Sequence, residues 1–355
     1  MFAYERWEER AELLNPLRGF EREAQAIEYR RDPLTGHITM LVRGRSRYVM
    51  KYFRSDEERV RELAEATKVN CPFCPGAVEE KTPKFPPEVL PEGRLKVGEC
   101  WAVPALFAHS DFNAIIILGR EHYRPLRELD GRLLADGLRA AVEILRLASR
   151  AYTDLRFATI IMNYLPTAGA SLVHPHMQVL ATKRPFNELR ELLSRSLDYC
   201  LATGRNFWAD LVEREAEEGS RLVGRLGRTW WLVPFAPKRR YEVWCLVEGV
   251  SGLLELSPND IGHVAEGLAR VLAFYDELGI SAFNMAFFSG PLGEDTRAYF
   301  WLQMRVCARF GLREPYLSDF WALPALLSQD EVFEGPEDYA CGLRRRFGEP
   351  LEAKA

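Results

Sequence analysis

Long apolar runs are missing from this sequence, and their absence sets the first limits on what it encodes. No stretch approaches the roughly 20 apolar residues that a membrane-spanning helix needs. The start, Met1–Arg10, is charged and has no apolar segment of the kind found in secretory signals. We therefore expect a cytoplasmic protein with no membrane segment.

An excess of charge of one sign is also missing. The 355 residues include 47 Lys and Arg against 51 Asp and Glu, a formal net charge of −4. That balance gives no general attraction to nucleic acids or anionic membranes, so neither is expected as a partner. Arginine far outnumbers lysine, and clustered arginines favour bidentate contacts to phosphate. With 47% hydrophobic residues, the chain is able to bury a large core, as one large domain or two of ordinary size.

Cysteine and histidine are scarce, so the few that fall close together stand out. Because a cytoplasmic chain is kept reduced, its 7 cysteines are not expected to form a disulfide framework. Cys71 and Cys74 form a Cys-Pro-Phe-Cys turn followed by Pro-Gly, which is typical of half of a tetrahedral zinc site. There is no second such pair, so the other ligands must come from the 6 histidines. The best set is Cys71, Cys74, His174 and His122, which we place at the end of a strand, with His109 as the main competitor of His122.

Two histidines and a glutamine alternate in the segment His174-Pro175-His176-Met177-Gln178. In a strand, alternate side chains share one face, so these three polar groups would project together. Burying them costs free energy unless they bind something. An imidazole in this setting is a metal ligand, a base or a nucleophile. The competing interpretation is a strand face whose polar groups are satisfied locally.

A pattern in the first half recurs in the second, which indicates a duplicated fold rather than a chance similarity of two α+β meanders. Trp101-Ala102-Val103-Pro104 recurs as Trp231-Leu232-Val233-Pro234. Each copy continues with a strand, an amphipathic helix and two further strands. These are the strands at 114–118 and 242–247, the helices at 131–149 and 258–278, and the strand pairs formed by 158–163 with the His-Pro-His segment and by 283–288 with 299–307. The sequence therefore predicts an α+β protein of two tandem copies, with a boundary in the polar stretch 183–205.

The second copy lacks the histidines of the first. When the last strands are aligned on their Val-x-Ala segments, Gln303 stands where His176 stands, and Trp301 stands where His174 stands. The second copy has kept the scaffold and lost the imidazoles. This favours chemistry in the first copy, because a need of the fold for histidines should have retained them in both.

Four motifs occupy most of the first 185 residues. They are Arg-Arg-Asp-Pro-Leu-Thr-Gly at 30–36, Asn-Cys-Pro-Phe-Cys-Pro-Gly at 70–76, Val-Pro-Ala-Leu at 103–106, and Gly-Ala-Ser with His-Pro-His-Met-Gln within 169–178. In this order they resemble the galactose-1-phosphate uridylyltransferase family, in the transferase branch of the histidine-triad (HIT) superfamily. The resemblance implies two tandem HIT-like domains, each an antiparallel sheet with packed helices. The first, at 1–190, would be catalytic and carry a zinc knuckle, and the second, at 191–345, would be degenerate.

The resemblance implies roles for the histidines and cysteines. His176 matches the nucleophile that attacks the α-phosphorus of a nucleotide sugar and carries the nucleotidyl group. His174 matches a ligand of one structural Zn²⁺ ion. Cys71, Cys74 and His122 match its other three ligands. Fixing the backbone at His174 would place its carbonyl near Nδ1 of His176, leaving Nε2 free to attack.

The resemblance also implies residues that act on the substrate. Gln178 stands where hydrolytic HIT proteins carry a histidine, and an amide is a poor general acid or base, so Gln178 marks a transferase. The matching substrate-binding positions are Ser171, Asn163, Gly169, Arg45 and Arg47. For the two arginines, which match residues that hold a diphosphate, a solvated basic turn is the alternative.

Three departures from the family pattern limit what it implies. Trp101 stands where the bacterial uridylyltransferases carry an asparagine that contacts the nucleotide. The three histidine positions that bind iron in some members are Ser289, Gln303 and Arg305 here, so no second metal is expected. The family's hexose-contacting Lys-Phe-x-x-Gly-Tyr-Glu stretch has no counterpart near 310–326, so galactose specificity has no support.

We expect a nucleotidyltransferase that moves a nucleoside monophosphate from a nucleotide sugar to a sugar 1-phosphate through a covalent nucleotidyl-histidine. A hexose-1-phosphate uridylyltransferase, an enzyme of galactose metabolism in the family, is the first candidate. The second is an adenylyltransferase of the ADP-glucose phosphorylase or diadenosine tetraphosphate phosphorylase type, with phosphate as acceptor. Gln178 disfavours a hydrolase, and a zinc-stabilised binding protein is the non-enzymatic alternative. The resemblance further implies a homodimer.

Overall fold

The computed structural model describes residues 2–348, leaving out the side chain of Arg47. The strands are β1 (Glu5–Asn15), β2 (Glu21–Arg31), β3 (Ile38–Leu41), β4 (Leu95–Val97), β5 (Cys100–Pro104), β6 (Phe112–Ile117), β7 (Phe157–Tyr164), β8 (His176–Thr182), β9 (Leu222–Leu226), β10 (Thr229–Leu232), β11 (Val243–Val247), β12 (Ala282–Phe288), β13 (Gln303–Arg309) and β14 (Asp330–Val332). The helices are α1 (Ser46–Val49), α2 (Glu57–Lys68), α3 (Ala77–Lys81), α4 (Gly131–Ala151), α5 (Asn187–Thr203), α6 (Phe207–Glu218), α7 (Pro258–Glu277), α8 (Ala322–Leu326) and α9 (Pro336–Phe347).

The central element is a ten-stranded sheet with the order β4-β5-β6-β8-β7-β12-β13-β11-β10-β9. Its first five strands come from the first half of the chain and its last five from the second, and both halves follow the same order outward from the centre. At the centre β7 and β12 pair antiparallel, with Asn163 opposite Asn284. The predicted α+β class with antiparallel sheets is confirmed, and the two predicted sheets are joined into one.

Most predicted elements agree with the structure except at their ends. The helices predicted at 131–149 and 258–278 are α4 and α7, whose first turns are capped by the side chains of Asp130 and Ser257. The strand that we predicted to run to His122 ends at Ile117, so His122 lies in the loop that follows. The strand predicted from 299 begins at 303, because residues 296–300 fold into a hydrogen-bonded turn. The stretch 183–205 contains α5, and a domain boundary there stays a prediction.

Helices α4 and α7 pack side by side on one face of the sheet, which we call the helix face. Each comes close to the sheet at a glycine. A methyl group on Gly137 would lie 2.3 Å from Cδ2 of Leu118, and one on Gly267 would lie 2.1 Å from the ring of Trp231. No methyl group fits at those distances, so the glycines let the helix backbones pack directly against the strands.

The repeated Trp-x-Val-Pro segment does not place its two tryptophans equivalently. Trp231 lies on the helix face, against Gly267. Trp101 belongs to a separate cluster on the other face, which we call the open face. Strand pairing across both halves matches Trp101 with Trp230, and Trp231 is the next residue. Because a shift of one residue moves a side chain to the other face, the alignment of Trp101 with Trp231 is wrong by one residue.

Other elements flank this sheet. On the open face of the second half, α5 and α6 pack over Trp244 through an aromatic cluster that includes Trp208. Strands β1, β2, β3 and β14 form a separate four-stranded sheet. It is tied to α9 by the buried Arg30, whose two Nη atoms donate to Glu337 at 2.8 and 3.0 Å.

Within residues 2–348, no helix is both long enough and apolar enough to cross a bilayer. The cytoplasmic location stays a prediction.

Glu334, just after β14, makes stability depend on pH. Burial raises the pKa of its carboxyl from 4.5 to about 7, although the guanidinium of Arg240 lies nearby. Between these values the native protein holds a proton that the unfolded chain has lost, so native stability falls as the pH rises to about 7. We expect Glu334→Gln to raise the free energy of unfolding by ~2 kcal/mol at pH 8 and by much less at pH 5, measured by urea denaturation.

The control is Glu331→Gln, on β14 itself. The Glu331 carboxylate is already paired with Arg45 at 3.0 Å, so its neutralisation should give no gain at pH 8. Equal effects of Glu334→Gln at both pH values would show that the charge of Glu334 does not matter.

Candidate metal centre and active site

Four side chains that are distant in sequence converge in the first half of the chain. The ligand atoms of Cys71, Cys74, His122 and His174 all lie within 4.8 Å of one another. Cys74 Sγ is 3.4 Å from His122 Nδ1 and 3.8 Å from His174 Nδ1, and Cys71 Sγ is 3.9 Å from His174 Nδ1. A tetrahedral ion with bonds of ~2.3 Å to sulfur and ~2.0 Å to nitrogen separates such atoms by ~3.6 Å. The four residues therefore have the spacing of a metal-binding cluster.

The protonation states of these residues suit a cation. Burial lowers the pKa of His174 to about 4, so its ring is neutral at pH 7 and offers a lone pair. Burial, with the Cys71 thiol as the next cause, raises the pKa of Cys74 to about 11. A cation bound here would therefore displace the thiol proton, as cations do at thiolate sites.

Hydrogen bonds behind both histidines direct Nδ1 toward the thiols. His122 Nε2 is 3.0 Å from Thr67 Oγ1, and the Thr67 hydroxyl donates in turn to the Leu63 carbonyl at 2.7 Å. His174 Nε2 is 3.4 Å from the Gly119 carbonyl. With Nε2–H donating in each case, Nδ1 carries the free lone pair. Such outer contacts fix the ring orientation of metal-binding histidines.

His109, the predicted competitor of His122, is exposed in the loop before β6. It does not belong to the cluster, which contains His122 as predicted. His174 also differs from its predicted setting, because β8 begins at His176. The rings of His174 and His176 nevertheless face the same knuckle, with centroids 6.1 and 5.5 Å from that of Phe73.

His176 is held in one orientation at the start of β8. Its Nδ1 is 2.8 Å from the carbonyl oxygen of His174, so Nδ1–H donates and Nε2 keeps its lone pair. The prediction that this carbonyl faces Nδ1 is confirmed. Only 6% of His176 is exposed, and burial lowers the pKa of its ring, which is neutral at pH 7. A neutral, oriented imidazole is the form that acts as a nucleophile.

The neighbours of His176 on the open face follow from the strand register. Ile117 pairs with His176 on one side and with Trp101 on the other, so the three side chains form a row. Gln178 stands in the next row, between Ile115 and Ile161. His176 is thus flanked by apolar side chains on β5 and β6, and by the amide of Gln178 along its own strand.

The predicted substrate-binding residues lie in several places. Asn163 is half-buried near the end of β7, and Ser171 and Gly169 are exposed in the loop between β7 and β8. Gly169 has φ +91°, a conformation that favours glycine. Arg45 donates through Nη1 to both carboxylate oxygens of Glu331 at 3.0 and 3.2 Å, so part of its guanidinium is already engaged. The side chain of Arg47 lies outside the described part of the structure. All five substrate contacts stay predictions.

An open pocket of ≈ 360 Å³ adjoins this site on the second half of the sheet. The residues that line it include Asn163, Asn284, Phe288 and Arg305. The Arg305 guanidinium lies over the rings of Trp244 at 4.0 Å and Phe288 at 4.6 Å.

The second copy has a different polar pair at the matching positions. β8 begins at His176 and β13 begins at Gln303, which supports the alignment of these two residues. Arg305 Nη2 donates to Gln303 Oε1 at 2.9 Å, and Ser289 Oγ accepts from the Leu253 amide at 3.1 Å. These three residues offer an ion neither imidazole nor carboxylate, and the prediction of no second metal was not tested.

Sequence reasoning missed three groups that shape the site. Phe73, between the two cysteines, contacts both histidine rings, and it could have been noticed as the apolar residue inside the knuckle. Thr67 gave no signal, because it lies on α2 and meets His122 only in the fold. Asn284 of the second half gave none either, although its side chain donates to Asn163.

Comparison with known sequences finds no matching family model, but several relatives. An uncharacterized protein of Archaeoglobus fulgidus is 28% identical over 339 residues, covering 95% of this chain and 98% of that protein. Galactose-1-phosphate uridylyltransferase of Thermotoga maritima is 31% identical over 157 residues, 41% of this chain and 46% of that protein. ADP-glucose phosphorylase of Arabidopsis thaliana is 21% identical over 296 residues, 76% of this chain and 80% of that protein.

Comparison with solved structures identifies the fold. ADP-glucose phosphorylase of Arabidopsis thaliana with bound ADP-glucose superposes with a TM-score of 0.70 at 18% identity, covering 90% of this chain and 98% of that one. A uridylyltransferase superposes with a TM-score of 0.63 at 21% identity, again covering 90% and 98%. The resemblance inferred from the sequence motifs is confirmed at the level of the fold.

Proposed function

We propose that this chain, which shares its fold with uridylyltransferases and ADP-glucose phosphorylase, transfers nucleoside monophosphates through a covalent histidine intermediate. The observation that carries the proposal is the setting of His176. Its Nδ1–H donates to the His174 carbonyl at 2.8 Å, which leaves the Nε2 lone pair for attack. This tautomer and orientation are the ones that a nucleophilic imidazole requires.

The reaction proceeds in two balanced steps. His176 Nε2 attacks the α-phosphorus of a nucleotide sugar, a P–N bond forms, and the bond to the bridging oxygen breaks to release a sugar 1-phosphate. A phosphate oxygen of the second substrate then attacks the same phosphorus, and the P–N bond breaks to restore the imidazole. The cycle is ping-pong because one site serves both steps.

The cluster of two cysteines and two histidines would hold one structural Zn²⁺ ion, since thiolate and imidazole donors in tetrahedral spacing suit zinc. With all four positions filled by protein, the ion would brace the knuckle rather than activate water. Phe73 in the knuckle packs against the ring of His176, so bracing the knuckle also steadies the nucleophile.

We place a hexose-1-phosphate uridylyltransferase first. The observation that favours the second candidate, an adenylyltransferase or phosphorylase, is Trp101 in the row beside His176, where an asparagine would contact the nucleotide in uridylyltransferases. A panel of UDP-, ADP- and GDP-glucose, each radiolabelled at the α-phosphorus, separates the two. We expect one nucleotide to label the protein faster than the others. If none labels the protein, the proposed function is wrong.

Gln178 should keep water from completing the reaction. We expect Gln178→His to hydrolyse the intermediate ~10- to 100-fold faster than the wild type, because an imidazole in the row next to His176 can act as a general base. The measurement is the decay of isolated labelled protein in buffer without acceptor. Asn113→His, at a buried position on the same face of the sheet, is the control and should not speed the decay.

A further inference from the structure

A chain of side-chain hydrogen bonds crosses from the second half of the sheet to the active-site half. Arg309 Nη1 donates to Asn284 Oδ1 at 2.5 Å, and Asn284 Nδ2 donates to Asn163 Oδ1 at 2.6 Å. The same Nδ2 donates to the Ala168 carbonyl at 2.8 Å. Asp319 holds the other end through two bonds of 2.7 Å to Arg309. The chain thus links an arginine on β13 to an asparagine on β7.

The partners of Asn284 fix which way its amide points. Arg309 has only donors, so the atom facing it must be the Asn284 oxygen. The Ala168 carbonyl has only an acceptor, so the atom facing it must be the Asn284 nitrogen. Asn284 therefore presents N–H to Asn163, and Asn163 must answer with its oxygen. The Nδ2–H group of Asn163 is then the part of this amide left for a ligand.

The position of Asn163 shows which ligand that is. The pairing of β7 with β8 ends at Ile161 and Gln178. Asn163 and His176 are the next residues of these two strands on the same face of the sheet. Side chains on one face of neighbouring strands, whether opposite or diagonal, have Cβ atoms ~5 to 8 Å apart, near enough to contact one ligand. An anionic phosphate held beside His176 accepts hydrogen bonds and is repelled by an amide oxygen. The orientation of Asn163 therefore decides between attraction and repulsion.

We propose that Asn284 is a positioning residue for the active site in the other half of the chain. It fixes Asn163 so that Nδ2–H faces the phosphate beside His176, and through Ala168 it holds the loop that carries Gly169 and Ser171. This rests on the proposed function, and it gives the second half, with no histidine at the matching strand position, a part in the reaction.

Asn284→Asp is the sharpest test. Its carboxylate still accepts from Arg309, so the fold keeps this contact as a stronger, charged one. This carboxylate offers no N–H to Asn163. The Asn163 amide must therefore turn so that its N–H group donates to the carboxylate, and its oxygen then faces the phosphate. We expect the single-turnover rate of labelling by saturating UDP-glucose or ADP-glucose, whichever labels the wild type, to fall ~100-fold, the usual effect of losing one donor to a reacting phosphate or oxyanion. The final label per chain should be unchanged.

Two more variants separate positioning from folding. Asn284→Gln keeps the amide, and the pocket of ≈ 360 Å³ beside Asn284 gives room for one more methylene. Its labelling rate should therefore fall less than ~5-fold, against the ~100-fold fall expected for the aspartate variant. Asn113→Asp changes another amide on the same face, one that donates to the Val179 carbonyl instead, and should label at nearly the wild-type saturating rate.

The outcomes are distinct. Asn284→Asp labelling at the wild-type saturating rate would overturn the positioning role and leave the proposed function intact. Absence of label on the wild type would overturn the proposed function itself. If the aspartate variant does not fold, Asn284→Leu replaces it. The leucine removes all three hydrogen bonds of the amide without adding charge, and a rate equal to that of Asn113→Asp would overturn the positioning role in the same way.

Discussion

Replacing His176 with alanine should abolish the covalent nucleotidyl-protein. The imidazole is neutral, its Nδ1 is occupied by the His174 carbonyl at 2.8 Å, and its Nε2 is the atom left to attack phosphorus. Losing the nucleophile of a double-displacement enzyme removes the intermediate itself, so turnover should fall by at least ~10⁴-fold. The measurement is acid-labile, base-stable label on the protein after incubation with nucleotide sugar labelled at the α-phosphorus.

The fold should survive this substitution. His176 contributes one hydrogen bond and an edge contact with Phe73, so we expect its loss to cost ~1–3 kcal/mol of stability. His109→Ala removes an exposed imidazole and should leave both label and stability unchanged. Retention of label in His176→Ala, with the stability and mobility of a folded protein, would place the nucleophile elsewhere.

Replacing Cys74 with serine should release the zinc and destabilise the first half of the chain. Cys74 Sγ lies near both histidine nitrogens of the cluster, at 3.4 and 3.8 Å, and serine is a far weaker ligand for zinc. Because zinc affinity at a structural site is folding free energy, we expect the free energy of unfolding to fall by ~3 kcal/mol or more. The loss should be clearest as a lower melting temperature, and activity measured at low temperature should be affected less.

Metal content and calorimetry test this expectation. The wild type should contain one zinc ion per chain, and the variant none. Cys341→Ser changes an exposed cysteine on α9 and should affect neither quantity. Two ions per chain in the wild type would contradict the assignment of the second half as metal-free, and full zinc content in Cys74→Ser would contradict the ligand set.

The sequence predicted those parts of the fold that depend on local signals. The amphipathic pattern of 131–149 and 258–278 was enough to find α4 and α7, which the structure caps with Asp130 and Ser257. The Cys-x-x-Cys turn and a count of histidines were enough to find the metal cluster, because few combinations of ligands were available.

What the sequence could not predict depends on register and on distant contacts. The joining of two sheets into one rests on the pairing of β7 with β12. Backbone groups, which almost every residue has, make this pairing. The faces of Trp101 and Trp231 depend on the strand register, which matches Trp101 with Trp230 and not with Trp231. The orientation of Asn163 depends on Asn284 and Arg309, each more than a hundred residues away.

The seam between β7 and β12 has a consequence for the origin of the chain. Equivalent strands of the two copies pair with one another antiparallel, as the same strand of two identical subunits does across a two-fold axis. A single-copy ancestor would have made this contact between separate molecules, with two identical sites. When the two copies are fused, each chain carries both sites. The residues of one site can then change without changing those of the other. The sheet thus has, inside one polypeptide, the arrangement of an interface between two identical subunits.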